Sequence, residues 1–288
     1  MTWFLLTLLC AFSWAVGDAL AKRALARDDS IVVAATQQSY AAPFLWLLFP
    51  FIPMPHLGRA FAETVALVLP FELGAVLLYV AAIKRSPLSL TLPYLAFTPA
   101  FLVGTAYVVL GERVTLAKGA GILVVTAGAY VLNTGSGGRG ILAPIRAIAR
   151  ERGSMMMLAV AVIYSLTASL DKKAVLLSSP EFFSAAYFTL LAVLLAVLVI
   201  AAKGPRALLR GLTPNRYTVA MGLAYAVMIV SHNLAIRRVE AAYMISVKRT
   251  SMLFGILFGW LFFGEKEIRR RLAGAAIMLA GIFLIVWL

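Results

Sequence analysis

The chain has 288 residues, of which 62% are hydrophobic and only 13% charged, with a mean hydropathy of +0.95. Soluble domains carry about 45–50% apolar and about 25% charged residues, so an ordinary soluble fold is excluded, and at about 20 residues per span the length allows about ten membrane-crossing helices. The formal net charge of +14 then reads as basic loops against anionic headgroups, and nucleic acid is not expected as a partner because no soluble basic domain exists to bind it.

The hydropathy pattern predicts an all-α polytopic membrane protein with ten spans, at 2–21, 31–53, 64–83, 86–110, 117–134, 155–175, 181–202, 217–236, 240–263 and 270–288. The N-terminus lacks a basic leader and a small-residue cleavage site, so the first span is expected to be retained rather than removed as a signal peptide. Its Cys10 is the only cysteine, which excludes an internal disulfide and a two-cysteine zinc or redox motif. Short turns with charge or proline separate the spans, such as Arg27-Asp28-Asp29, Lys84-Arg85-Ser86-Pro87 and Gly111-Glu112-Arg113. The longest connection is 135–153, a Gly/Ser stretch followed by Arg139, Arg146, Arg150 and Arg152. Within it, 141–150 could form a short interfacial helix. The domains are therefore 1–134, a basic linker 135–153, and 154–288, with five spans on each side.

The two halves repeat. A shift of 153 residues lays Gly111-Glu112-Arg113 on Gly264-Glu265-Lys266, Gly121 on Gly274 and Gly128 on Gly281. In the first span a shift of 150 lays Lys22-Arg23-Ala24 on Lys172-Lys173-Ala174. Because each half has an odd number of spans, the second must sit upside down relative to the first. Inverted repeats place a site near mid-depth that can open to either side in turn.

These residues resemble a known family. The Gly-Glu-basic turn after the fourth span of each half, the glycine-bearing fifth span, and Trp14 with Lys22 in the first span are similar to the EamA-type members of the drug/metabolite transporter superfamily. The resemblance covers essentially the whole chain. It implies a ten-helix fold in which spans 1–4 and 6–9 surround the substrate and spans 5 and 10 pack outside. It also implies a multi-pass protein of a bacterial-type inner membrane with both termini in the cytoplasm. The superfamily includes amino-acid and metabolite exporters, sugar-phosphate exchangers and nucleotide-sugar carriers, so the fold does not choose a substrate.

Function must then come from polar groups at depth, where each is costly. Lys248-Arg249 lies about 5 Å from the middle of the ninth span at about 1.5 Å per residue, too deep for both heads to snorkel out. Such a pair suits a phosphate or carboxylate, with Arg as a two-pronged donor and Lys as a point charge. It is also similar to the phosphate-binding pair of the plastid sugar-phosphate translocators, although the fourth span here supplies no matching third basic residue. The alternative for the pair is structural, as a buried ion pair with Glu72 for example. Glu72, central in the third span, could also couple protons or act as a resting counter-ion that a substrate displaces.

His232-Asn233 in the eighth span reads either as helix–helix glue or as a titrating or substrate-contacting group. Asp18 could pair with Lys22 one turn on. Gln37, Gln38, Tyr40, Tyr94, Tyr164, Thr167 and Tyr243 could line the cavity, and Pro93 and Pro99 are expected to kink the fourth span. The candidate substrate-binding set is Lys248, Arg249, Glu72, His232, Asn233, Tyr94, Tyr164, Gln38 and Tyr243. No metal or cofactor is expected. Gly121, Gly128, Gly274 and Gly281 could pack the fifth and tenth spans together within the fold or in a homodimer.

Loop charge conflicts with the resemblance over sidedness. Connections after odd-numbered spans carry 17 Lys and Arg against 7 on the other side, which places both termini outside the cytoplasm. A membrane enzyme is the competing class, but no zinc-ligand spacing, no Gly-x-Ser-x-Gly elbow and no acidic cluster is present. A purely structural membrane protein would not need the mid-membrane charges. The expected function is secondary transport of a small phosphate- or carboxylate-bearing metabolite, or an anionic lipid headgroup, by alternating access. The second reading is an exporter of amino acids or other small metabolites in which Lys248 and Arg249 are structural.

Overall fold

The computed structural model describes residues 1–24, 28–85, 92–134, 152–263 and 268–287. Every expected span contains an α-helix within that set, although the second, expected over 31–53, is α-helical only to Trp46 and continues as a 3-10 turn at Phe49–Phe51. In chain order the elements are α1 (Thr2–Ala24), α2 (Ser30–Trp46), α3 (Arg59–Arg85), α4 (Thr98–Leu110) and α5 (Leu116–Thr134) in the first half. The second half has α6 (Arg152–Leu176), α7 (Pro180–Lys203), the short α8 (Pro205–Gly211), α9 (Arg216–Ile236), α10 (Ala241–Lys248), α11 (Ser251–Phe263) and α12 (Ile268–Trp287). Six of these helices are each long and apolar enough to cross a bilayer. The expected interfacial helix at 141–150 lies outside the described residues.

Packing among the helices displays the inverted repeat. α1 packs on α9, and their repeat equivalents α6 and α3 pack on each other; α4 packs on α6 as α11 packs on α1; α2 pairs with α7 and α5 with α12. A pseudo-twofold operation returns every one of these pairs to a pair in the same set. Span count alone predicts that the connections alternate between two ends, and the ion pairs agree. Asp29 and Asp28, after α1, bind Lys203 (2.6 Å) and Arg210 (2.8 Å), after α7. Glu112, after α4, binds Lys172 near the end of α6.

The glycines of the fifth and tenth spans are used inside the fold. A Cβ on Gly128 would stand 2.5 Å from the amide nitrogen of Met278, and one on Gly274 would stand 2.5 Å from that of Leu132. Lipid tails are as apolar as leucine, so such close backbone approach is what holds two membrane helices together.

Two spans are discontinuous, at repeat-related places. The fourth passes through a 3-10 turn at Leu92–Phe97 before α4, with Pro99 in its first turn, as the prolines predict. The ninth was expected to be one helix over 240–263 but is divided into α10 and α11. No proline causes that break. Arg249, Thr250, Met252 and Leu253 each donate their amide to the carbonyl three residues back. Thr250 Oγ1 also donates to Val247 O at 2.9 Å, and Ser246 Oγ to Ala242 O at 2.7 Å. Hydroxyls that bond back to the backbone compete with the helical ladder and bend it, and a 3-10 stretch within a helix is tighter and weaker than the α-helical turns beside it.

Candidate functional site

The break in the ninth span delivers Lys248 and Arg249 to the centre of the bundle. From Ala241 to Thr250 every residue is buried except these two, which are half-buried. Protein surrounds them rather than lipid. Lys248 Nζ lies 3.1 Å from His232 Nδ1, 3.8 Å from Met228 Sδ, and 4.3 Å from the centre of the Trp14 ring. An ammonium over an indole face is attracted by the ring's quadrupole, and it donates to His232 Nδ1 when that nitrogen is unprotonated.

Tyr225, Met228 and His232 stand at helical spacing on α9 and form one stripe towards α1 and α10. Trp14 and Tyr225 have ring centroids 6.3 Å apart, and Gln38 Nε2 donates to Tyr225 Oη at 3.4 Å. On α1, the Trp14 side chain hydrogen-bonds Asp18, which is exposed although it belongs to this cluster electrostatically. An exposed carboxylate among central helices indicates an open vestibule there.

The other wall comes from α3, α6 and α7. Thr167 neighbours Glu72, and Tyr164 lies in the electrostatic neighbourhood of both Glu72 and Arg249. Asp171 neighbours Glu72 and Lys248. Its Oδ1 is buried without a hydrogen-bond partner, as are Gln38 Oε1, Tyr187 Oη and Arg249 Nε. Tyr187 stacks on Phe183 at 4.6 Å with its hydroxyl in the neighbourhood of Asp171. Among the described residues neither Lys248 nor Arg249 takes part in a salt bridge. Glu72 therefore shares their surroundings without being locked to them.

Of the expected set, Lys248, Arg249, Glu72, His232, Gln38 and Tyr164 come together. Asn233 does not: it is buried and donates to Ser184 Oγ at 2.8 Å, joining α9 to α7. Tyr94 is fully buried in a packed cluster with Ala82, Met157 and Val160. Tyr243 lies one turn into α10, where its hydroxyl accepts from Thr115 N at 3.3 Å. Tyr40 donates to Leu212 O at 2.9 Å, far along the chain from the cluster. Asp171, Tyr187, Tyr225 and Met228 are additions. In sequence Asp171 reads as the first of three charges that end a span, beside Lys172 and Lys173. In the register of the first and sixth spans it stands one helical turn beyond the position equivalent to Asp18, which is the signal that could have exposed it.

Comparison with known proteins fits this geometry. The model of the EamA-like transporter family matches twice, over residues 1–134 and 151–287. This chain belongs to that family. This EamA-like chain is accordingly a multi-pass membrane protein of a transporter class rather than an enzyme class. No curated protein sequence matches it. Among solved structures 28 chains match. One, described as "Crystal structure of protein", has a TM-score of 0.75 at 16% identity and covers 99% of this chain and 96% of its own length. At that identity the likeness is one of fold alone.

Proposed function

We propose that this EamA-like protein is a secondary transporter of a small metabolite or lipid headgroup bearing phosphate or carboxylate, which it moves by alternating access through a bacterial-type inner membrane. One observation carries the reading: Lys248 and Arg249 stand half-buried at a helix break, outside any described salt bridge, with Arg249 Nε buried and unpartnered. An uncompensated buried charge is expensive, and an arriving anion with several acceptor oxygens would satisfy both heads at once. Trp14 and Tyr164, equivalent in the two halves, flank the cations and suit the apolar body of such a ligand. The chain carries no nucleotide-binding loop, so a gradient or exchange drives transport.

A second reading has support of its own. Asp18, Glu72 and Asp171 share the cluster, which suits an amine on the same ligand and so an amino-acid-like substrate. A thermal-shift screen of phosphates, organic acids, amino acids and amines separates the two, because a ligand that binds only the folded state raises its apparent stability. Stabilisation by phosphates or organic acids, lost in Lys248→Ala/Arg249→Ala, supports the anion reading. Stabilisation by amines alone, retained in that variant, overturns it.

A further inference from the structure

One cluster lies outside the site. In the Gly111-Glu112-Arg113 turn, Glu112 is seven-eighths buried and pairs with Lys172, whose side chain is 7% exposed. Both also grip the start of α10. Ala241 N donates to Glu112 Oε2 at 2.8 Å, and Lys172 Nζ donates to Val239 O at 2.5 Å. Thr115 N and Lys118 reach the same turn through Tyr243, the first by the hydrogen bond to its hydroxyl and the second at 5.0 Å above its ring. The connections after α4 and α9 are thus tied to the last turns of α6 by a single ion pair.

What this closure touches is mechanically specific. α10 is only eight residues long and is buried from Ala241 to Val247. Its first residue is held by Glu112, and its last is Lys248. Beyond it the 3-10 turn at Arg249–Thr250 supplies a pivot. Lys172 is bonded to the residue before it, Asp171, which belongs to the central cluster. The ion pair and the vestibule are therefore adjacent along α6 and are joined a second time through α10. Removing one partner of a buried ion pair is costly because it leaves the other charge uncompensated, so separating Glu112 from Lys172 requires both to find other partners or water.

We infer that Glu112–Lys172 is a gate latch: while it is formed, this end of the bundle is shut and α10 holds Lys248 in place, and its release lets α10 swing on the 249–250 turn and opens the site at this end. The inference rests on alternating access but not on the identity of the substrate, so it is read without one. Ala168, partly exposed on α6 one turn before Asp171, is replaced by cysteine in a Cys10→Ser background and labelled with a membrane-impermeant thiol reagent in right-side-out and inside-out vesicles. Glu112→Gln is expected to raise the labelling rate about tenfold from the side that bears Gly111, with no rise from the other. Equal rates with and without Glu112→Gln, in protein that elutes and melts as the parent does, would overturn the latch. If Glu112→Gln does not fold, Lys172→Gln, which keeps a donor for Val239 O but removes the charge, takes its place: a raised rate from that side alone supports the latch, and an unchanged rate overturns it.

Discussion

The fourth and ninth spans occupy equivalent places in the two halves and are both broken, yet they are built differently. The fourth is interrupted by proline and presents Leu95 and Ala96 at the equivalent positions. The ninth is interrupted by hydroxyl back-bonding and presents Lys248 and Arg249. Duplication made the fold symmetric, and the charges made the site asymmetric. A twofold scaffold that opens at either end in turn needs two hinges, and the ligand proposed above, with one anionic pole, would need cations on only one of them. A break without proline also keeps all its backbone donors, here spent on bonds to the carbonyl three residues back.

The largest expected effect breaks this comparison at its charged member. Lys248→Ala and Arg249→Ala should each lower uptake in proteoliposomes by at least about tenfold, since hydrogen bonds to charged groups are worth about 1.5–3 kcal/mol. Leu95→Ala, at the equivalent place in the first half, should leave uptake within about twofold. Equal losses at Lys248 and Leu95 in folded protein would mean that the break itself matters and the charge does not. The next effect is on stability. Gly128→Leu drives a side chain into the backbone of α12 and should cost at least about 1–3 kcal/mol, read as a lower melting temperature in detergent.

A third test compares another equivalent pair. His232, against Lys248, corresponds to Tyr79 in the first half. His232→Leu removes a hydrogen-bond partner worth about 0.5–1.5 kcal/mol, so the apparent KM should rise several-fold with little change in maximal rate. Tyr79→Phe should change it less. The smallest effect is expected at Gly104, where an added Cβ meets nothing within 4 Å. Gly104→Ala should leave the melting temperature nearly unchanged or slightly raised, as surface changes fall within about 0.5 kcal/mol.

Much of the site could be read early because charge at membrane depth is rare. Lys248, Arg249 and Glu72 stand out against apolar neighbours, and the structure brings them together. The aromatic and amide candidates divided. Gln38 and Tyr164 reached the cluster, while Tyr94, Asn233 and Tyr243 went to packed or capping positions. Nothing in their local sequence separates the two groups, because what differs is which way each helix is turned. A soluble helix reveals that through its apolar stripe, but a span with lipid on one side and apolar protein on the other carries little such stripe. Asp171 was hidden for another reason: it adjoins two lysines, and three charges in a row read as the end of a span.

The sequence by itself determined the number of spans, the duplication, the inversion that five spans per half require, and the presence of two cations at depth. These follow from the length of apolar runs and from the need for every backbone group in the bilayer to be satisfied within its own helix. Only the tertiary structure decided that the ninth span breaks after Lys248, that Trp14 and His232 receive that lysine, that no described carboxylate is locked to it, and that the four glycines join α5 to α12. Those outcomes depend on the rotation and close approach of helices far apart in the chain, which van der Waals fit and hydrogen bonding select once hydrophobicity has stopped discriminating between neighbour and lipid.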